Sequence, residues 1–267
     1  MIYFCPTPIG NLKDMTQRTL EILNKVDIIA AEDTRNTLKL LNNFNIKKKL
    51  ISYHKFNEKE MSEKIITMSY DMDIAIVTDA GLPGISDPGE VLAKRLIEED
   101  IEFCVLPGPN AALTALVLSG LDTEHFMFYG FLDSKSGHRK KELEKLKDFP
   151  YTIIFYEAPH RLESMISDAS EILGDRRVSI SRELTKMYEE TKRNSLYYFR
   201  DNFDEIKLKG EFVVVIEGKQ QEEVEVDIEK LLREKIENGV KKSAAVKEIA
   251  REYNLSKNEV YKISLEV

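Results

Sequence analysis

The 267-residue sequence predicts an α/β protein. It reads as two α/β domains, a parallel-sheet domain over residues 1–120 and a mixed-sheet domain over 121–219, followed by a small helical extension over 226–267. Three observations carry this. Before residue 120, five short apolar runs alternate with helical patterns, and each run ends in a polar or Gly/Pro-rich loop; that is the pattern of a parallel sheet covered by helices on both faces. A second series of apolar runs follows and ends at Phe212 to Glu217. A polar, charged break from Gln220 to Glu225 then precedes three short helical patterns.

Taken in order, the first strand, Ile2 to Cys5, ends at once in the stiff loop Pro6-Thr7-Pro8-Ile9-Gly10-Asn11. Thr16 is placed to cap a helix with the stripe Leu20, Ile22 and Leu23. Val26 to Ala31 delivers Glu32-Asp33-Thr34-Arg35 to a helix carrying Leu38, Leu40 and Leu41. Leu50 to Tyr53 delivers His54-Lys55-Phe56-Asn57-Glu58, and Asn57 with Glu60 reads as a capping box for a helix to about Ser69. Ile74 to Val77 leads into VTDAGLPGISDPGE, Val77 to Glu90. Its glycines permit close backbone approach, Pro83 and Pro88 stiffen it, and Asp79 stands at the strand end. Open α/β sheets bind ligands at that edge, so the loop reads as a small-molecule cradle, though such clusters also serve as plain turns. Neither GxGxxG after the first strand nor GxxxxGK[ST] is present. A helix (Glu90 to Glu99), a strand (Ile101 to Leu106) and the turn Pro107-Gly108-Pro109-Asn110 come next. The helix Ala111 to Ser119 is apolar nearly all round and is expected to be buried, with Gly120 ending it.

The second unit opens with the strand Phe126 to Phe131 and the polar stretch Asp133 to Lys141, which enters a helix to about Lys147. Tyr151 to Tyr156 ends in Glu157-Ala158-Pro159-His160-Arg161, and a helix runs from there to Leu173, stopped by Gly174. Val178 to Ser181 leads to Arg182-Glu183-Leu184-Thr185-Lys186. In the extension, helices are expected over Ile228 to Ile236, Ala244 to Tyr253 and Ser256 to about Ser264. The last two, joined by Asn254-Leu255, have helix-turn-helix proportions, which structural caps share.

Composition excludes several classes. The net charge is −8 and the chain is 42% hydrophobic, which argues against generic binding of naked nucleic acid but leaves room for local basic patches. Cys5 and Cys104 lie in apolar runs and read as reduced core residues of a cytoplasmic protein. The start lacks a basic n-region, and no run reaches the roughly 18 apolar residues of a membrane span. The four histidines are not at metal-ligand spacing, so no metal is expected. Asn11, Asp33, Arg35, His54, Asp79, Asp87, Glu157, His160, Arg161, Arg182 and Glu183 should gather at one sheet edge, where each alone would more often be a salt-bridge or capping residue.

The ordered blocks PTPIGNL, AEDTRNT, SYHKFNE, TDAGLPGISDPG, PGPNAAL, FYEAPHRL, SRELTKMYEE and KGEFVVVIEG closely resemble the bacterial 16S ribosomal RNA (cytidine-1402)-2′-O-methyltransferases of the tetrapyrrole-methylase-like superfamily. The resemblance spans about Ile2 to Gly218, departs at Leu82 and Asp133, and extends to the helical tail. It implies S-adenosylmethionine (SAM) in a cleft between two α/β domains, a homodimer, and 16S rRNA in the small ribosomal subunit as substrate. Matched by motif, the SAM contacts would be Pro8, Asp79, Ala80, Gly81, Leu82, Ile85, Asn110, Ala111, Tyr156 and Glu157. Asp33 and His54 are the candidate bases for the ribose hydroxyl proton, with Glu183 in reserve. Arg35, Lys55, Arg139, Lys140 and Arg161 are the candidate phosphate contacts. A tetrapyrrole-precursor methylase and a non-catalytic SAM- or RNA-binding module are the alternatives.

Overall fold

The computed structural model describes residues 1–220, 227–253 and 255–265. Most of the charged break, Asn254 of the expected helix junction, Val226 and the last two residues lie outside the described residues. The chain divides into two compact units, Met1–Gln220 and Gln221–Val267.

The larger unit holds two five-stranded sheets. The first contains β1 (Ile2–Phe4), β2 (Ile28–Ala31), β3 (Lys49–Ser52), β4 (Ile74–Val77) and β5 (Phe103–Val105), in the order β3-β2-β4-β1-β5. All pairs are parallel. Alternation decides which face each residue serves. Ile28, Ala30, Ile74 and Ile76 join α3 (Glu58–Ser69) and α4 (Glu90–Glu98) in one core. Ile29, Ala31, Ala75 and Val77 join α1 (Gln17–Lys25) and α2 (Thr34–Asn43) in another. With both faces covered, β2 and β4 are buried along their whole length, as continuous apolar runs require. Because every strand points the same way, the loops that follow them all emerge at one edge.

The second sheet contains β6 (Phe126–Phe131), β7 (Thr152–Glu157), β8 (Arg177–Arg182), β9 (Glu190–Ser195) and β10 (Phe212–Ile216), in the order β6-β7-β10-β8-β9. Only β6 and β7 run parallel; the other pairs are antiparallel. One face packs on α6 (Ser136–Leu146), α7 (Leu162–Leu173) and α8 (Leu196–Asp201). The other receives α5 (Ala111–Ser119), whose Ala112, Ala115 and Leu116 meet Ile154, Val213 and Val215. Helix α5, the last within residues 1–120, therefore lies on the second sheet. The smaller unit is α9 (Ile228–Glu237), α10 (Lys242–Glu252) and α11 (Lys257–Ser264) around Leu232, Ile249 and Val260. Among the described residues no helix is long and apolar enough to cross a membrane.

Three expectations change. The Asn57 capping box does not form: Asn57 has no side-chain cap bond, because its Oδ1 accepts from the His54 N–H at 2.8 Å and its Nδ2 donates to the Ser52 carbonyl at 3.2 Å. Helix α5 is not buried all round, since Leu113 is 49% and Val117 73% exposed. Strand β9 was not expected at all. Its sequence, ETKRNS, holds no apolar residue, and it forms a charged sheet edge of the kind that discourages further pairing.

Candidate active site

Strand β4 delivers the central loop, and the loop is pinned to the one that follows β1. The Thr7 N–H donates to the Gly81 carbonyl at 2.9 Å and the Gly81 N–H to the Thr7 carbonyl at 3.0 Å. The Thr7 hydroxyl adds a bond to the Thr78 carbonyl at 3.0 Å. Gly89 ends the loop at φ +142°, where a Cβ would come within 2.8 Å of the Gly84 nitrogen; no other residue fits there. Having no side chain, Gly89 cannot cap α4. Glu58, at the start of α3, does so instead, its Oε1 accepting from the Gly89 N–H at 2.7 Å and the Val91 N–H at 3.3 Å. A carboxylate at a helix N-terminus is also favoured by the helix dipole.

Between the two sheets lies a cavity of about 310 Å³, within the size range of small-ligand sites. The first unit of sequence contributes Ile9 and, from the central loop, Ala80, Gly81, Leu82, Ile85 and Asp87. Asn110 and Ala111 enter from the start of α5, where Asn110 Oδ1 caps the helix by accepting from the Leu113 N–H at 3.0 Å. From the second sheet come Tyr156, Glu157, Leu184 and Val213. Tyr156 lies edge-on to Phe128 and Phe131, with ring centroids 4.9 and 5.6 Å away. Burial pushes its hydroxyl pKa up. Glu157 is 2% exposed, accepts from the Ala158 N–H at 2.8 Å and pairs with Arg161 at 3.1 Å. Burial outweighs these contacts and raises its carboxyl above the usual range.

Pro8 and Asp79 do not line this cavity. They belong to a neighbouring one of about 210 Å³, shared with Asn36, Thr37 and Asn43 of α2. The central loop is the partition, with Asp79 on one side and Ala80 on the other.

Three carboxylates crowd the strand ends. The Asp79 N–H donates to Glu32 Oε2 at 3.3 Å, and Asn36 Nδ2 donates to Asp79 Oδ2 at 2.9 Å. Burial, and then the charges of Glu32 and Asp79, push the Asp87 carboxyl up to about 7. Glu32 is also raised, by burial first and by the charges of Asp79 and Asp33, against the opposing pull of the Asp79 N–H and His54. Such a cluster resists losing all its protons and is relieved by a nearby cation.

The three candidate bases differ in what their lone pairs already do. Asp33 caps α2 by accepting from the Arg35 N–H at 2.8 Å, and its carboxylate also takes Arg35 Nε at 3.1 Å and Nη2 at 2.6 Å. Those bonds hold it well below the usual carboxylate range. Glu183, at φ +52°, accepts from Lys186 Nζ at 2.9 Å and the Glu211 N–H at 3.1 Å. Burial pushes its carboxyl up, but these two bonds together with the charges of Lys186 and Arg182 outweigh burial and leave it lowered. His54 differs: its Nδ1 is buried and has no hydrogen-bond partner.

Among the candidate phosphate contacts, Lys55 is exposed without qualification, and Arg35 is exposed but paired with Asp33. Lys140 pairs with Glu171 at 2.6 Å. Arg161 turns inward to Glu157 and the Leu132 carbonyl. Arg139 must be corrected. It is 2% exposed and bound to Asp168 through Nη2 at 2.6 Å and Nε at 2.7 Å, with the Ser136 hydroxyl on the same carboxylate. It locks α6 to α7 and is out of reach of a phosphate. Sequence reasoning also passed over Glu32 and Glu58, and the apolar walls Ile9, Leu184 and Val213. Glu32, directly after an all-apolar strand, was the one of these that its position could have flagged. Among the described residues no group of three or more His, Cys, Asp or Glu could hold a metal ion.

Residues 1–199 match the family of Tetrapyrrole (Corrin/Porphyrin) Methylases. A Bacillus subtilis (strain 168) protein called ribosomal RNA small subunit methyltransferase I is 45% identical over 98% of this chain and 92% of its own length. A Synechocystis protein of the same name is 41% identical over 100% of this chain and 98% of its own length. Among solved structures, diphthine synthase superposes with a TM-score of 0.64 at 15% identity, covering 82% of this chain and 90% of that one. Uroporphyrin-III-C-methyltransferase from Thermus thermophilus gives 0.57 at 16% identity, covering 81% and 93%. At such identities these two speak for the fold alone.

Proposed function

The chain belongs to the tetrapyrrole (corrin/porphyrin) methylase family, and from that premise we propose that it is the SAM-dependent methyltransferase of a ribose 2′-hydroxyl, that of cytidine 1402 in the 16S rRNA of the small ribosomal subunit. The observation that carries this reading is the near-full-length identity to relatives named as small-subunit rRNA methyltransferases. On this reading the protein works in the cytoplasm, and residues 1–120 and 121–219 act as two domains about the cofactor, with 226–267 as an extension. It is a homodimer, for which the exposed Leu113 and Val117 of α5 offer an apolar face.

The residues present fit the cofactor. Ile9, Leu184 and Val213 supply apolar walls, and Asp87 and its neighbours supply negative charge for a cation. Ala80, Gly81, Leu82, Ile85, Asn110, Ala111, Tyr156 and Glu157 would hold it, with Pro8 and Asp79 behind the partition. When bound, SAM supplies an electrophilic methyl group on a sulfonium. The protein's main task is then alignment, which can lower a barrier by roughly 7–11 kcal/mol. Its second task is to receive the proton that the ribose hydroxyl gives up. His54, the one of the three candidates not clamped by a cation, is best suited to that. Asp33, clamped by Arg35, and Glu183, clamped by Lys186, instead fix the loops on either side.

The experiment is methyl transfer from tritiated SAM to unmodified small subunits, to naked rRNA and to tetrapyrrole precursors, each offered separately. Label on one ribose 2′-oxygen of the subunit RNA is the expected result. Label on a tetrapyrrole alone would overturn the RNA reading and leave the fold and the cofactor standing.

A further inference from the structure

Phe56 is 97% exposed, the most exposed large apolar side chain among the described residues. Single exposed apolar residues are ordinary; the setting of this one is not. It sits in the turn after β3, and that turn is held at both ends. The Asn57 N–H donates to the His54 carbonyl at 2.9 Å, and the Asn57 side chain binds the His54 N–H and the Ser52 carbonyl. Tyr53 anchors the entry, 1% exposed and donating to Glu58 at 3.2 Å. The ring is thus presented by a tight turn, and its one aromatic neighbour among the described residues is His54, 6.0 Å away at 69°.

Its position matters equally. Ser52 lies opposite Ala31 in the sheet, so the turn emerges beside Glu32 and the exposed Arg35, and Glu32 feels the charge of His54. Lys55 and Lys59, one residue before Phe56 and three after it, are exposed. An open aromatic face among cations, next to the candidate base, matches the chemistry of an unpaired nucleobase, which offers a π-face and a nearby phosphate.

We propose that Phe56 is a stacking platform for an unpaired nucleobase of the RNA substrate, holding the strand beside the ribose to be methylated. The proposal rests on the RNA-methylation reading above and adds the residue that grips the strand. Stacking on an aromatic tolerates any base, so Phe56 would supply affinity and placement, while sequence choice lies elsewhere.

The chain contains no tryptophan, so Phe56→Trp installs a single reporter. Its emission should be quenched by a single-stranded oligoribonucleotide spanning the target cytidine. Phe56→Ala and Phe56→Leu should both raise KM for RNA by about 5- to 150-fold, with SAM affinity unchanged. Three results would overturn the proposal: Leu serving as well as Trp, unquenched emission in the presence of the oligoribonucleotide, or wild-type KM in Phe56→Ala. A Leu variant that works on subunits would assign the ring to a protein surface instead. Wild-type protein that methylates no RNA at all would remove the underlying reading, an outcome distinct from all of these.

Discussion

Asp87→Asn tests the electrostatic account of the site without reference to any ligand. The wild-type carboxyl titrates at about 7 in the folded protein against an ordinary 3.8, chiefly through burial and then through Glu32 and Asp79. Between those two values the folded chain keeps a proton that the unfolded chain has released, so stability falls as pH rises across that window. At about 1.4 kcal/mol per tenfold, the full displacement corresponds to about 4 kcal/mol. Relaxation of the loop and solvent screening should leave roughly half of it. Asparagine has nearly the same shape and never ionises. The variant should therefore match wild type at pH 4 and exceed it by about 2 kcal/mol at pH 8, part of the gain coming from Glu32, which loses a repelling neighbour. Urea unfolding at a series of pH values measures this. A stability difference that is the same at pH 4 and pH 8 would refute the placement of Asp87 among mutually repelling carboxylates.

Three other outcomes are expected. Asp168→Ala strands the buried Arg139 charge and should destabilise by about 3–5 kcal/mol in urea, whereas replacing both residues with apolar ones of similar volume should restore most of the loss. Glu58→Ala removes an acceptor shared by Gly89, Val91 and Tyr53; a loss of about 1.5–3 kcal/mol is expected, and calorimetry should show weaker SAM binding as the central loop loosens. If the proposed homodimer forms through α5, Val117→Lys, which puts a charge on its exposed face, should shift it to monomer in sedimentation, with the circular dichroism of the fold unchanged.

How much of this was legible depended on whether the deciding interaction was local. The buried strands of the first sheet announced themselves because apolar runs such as Ile74 to Val77 have no other use in a chain this charged. The Thr16 cap of α1 was equally readable, since its partner, the Thr19 N–H, is three residues away. Strand β9 was silent because pairing with β8, and not burial, makes ETKRNS a strand. Arg139 misled for a related reason. In the sequence it is one cation in a run of three, and only Asp168, twenty-nine residues on, turns it inward. In the cavity, the glycine-rich loop was visible as a cradle. Val213 and Leu184, which complete its walls, look in sequence like any other core residue.

The distribution of charge explains how an acidic protein could serve an anionic substrate. Glu32, Asp79 and Asp87 lie on the loops that follow β2 and β4, Asp79 exposed and the other two half-buried, and their like charge raises Glu32 and Asp87. Lys55, Lys59 and Arg35 stand at the exposed rim of the same edge. A cationic cofactor would be drawn inward by the first group, and a polyanion would be stopped at the second, since Coulombic forces between exposed charges fade within about 8 Å at physiological salt. The net charge of −8 is then no obstacle. The acidic loops also work against RNA entering the cofactor cavity, so that only the reacting ribose need approach it.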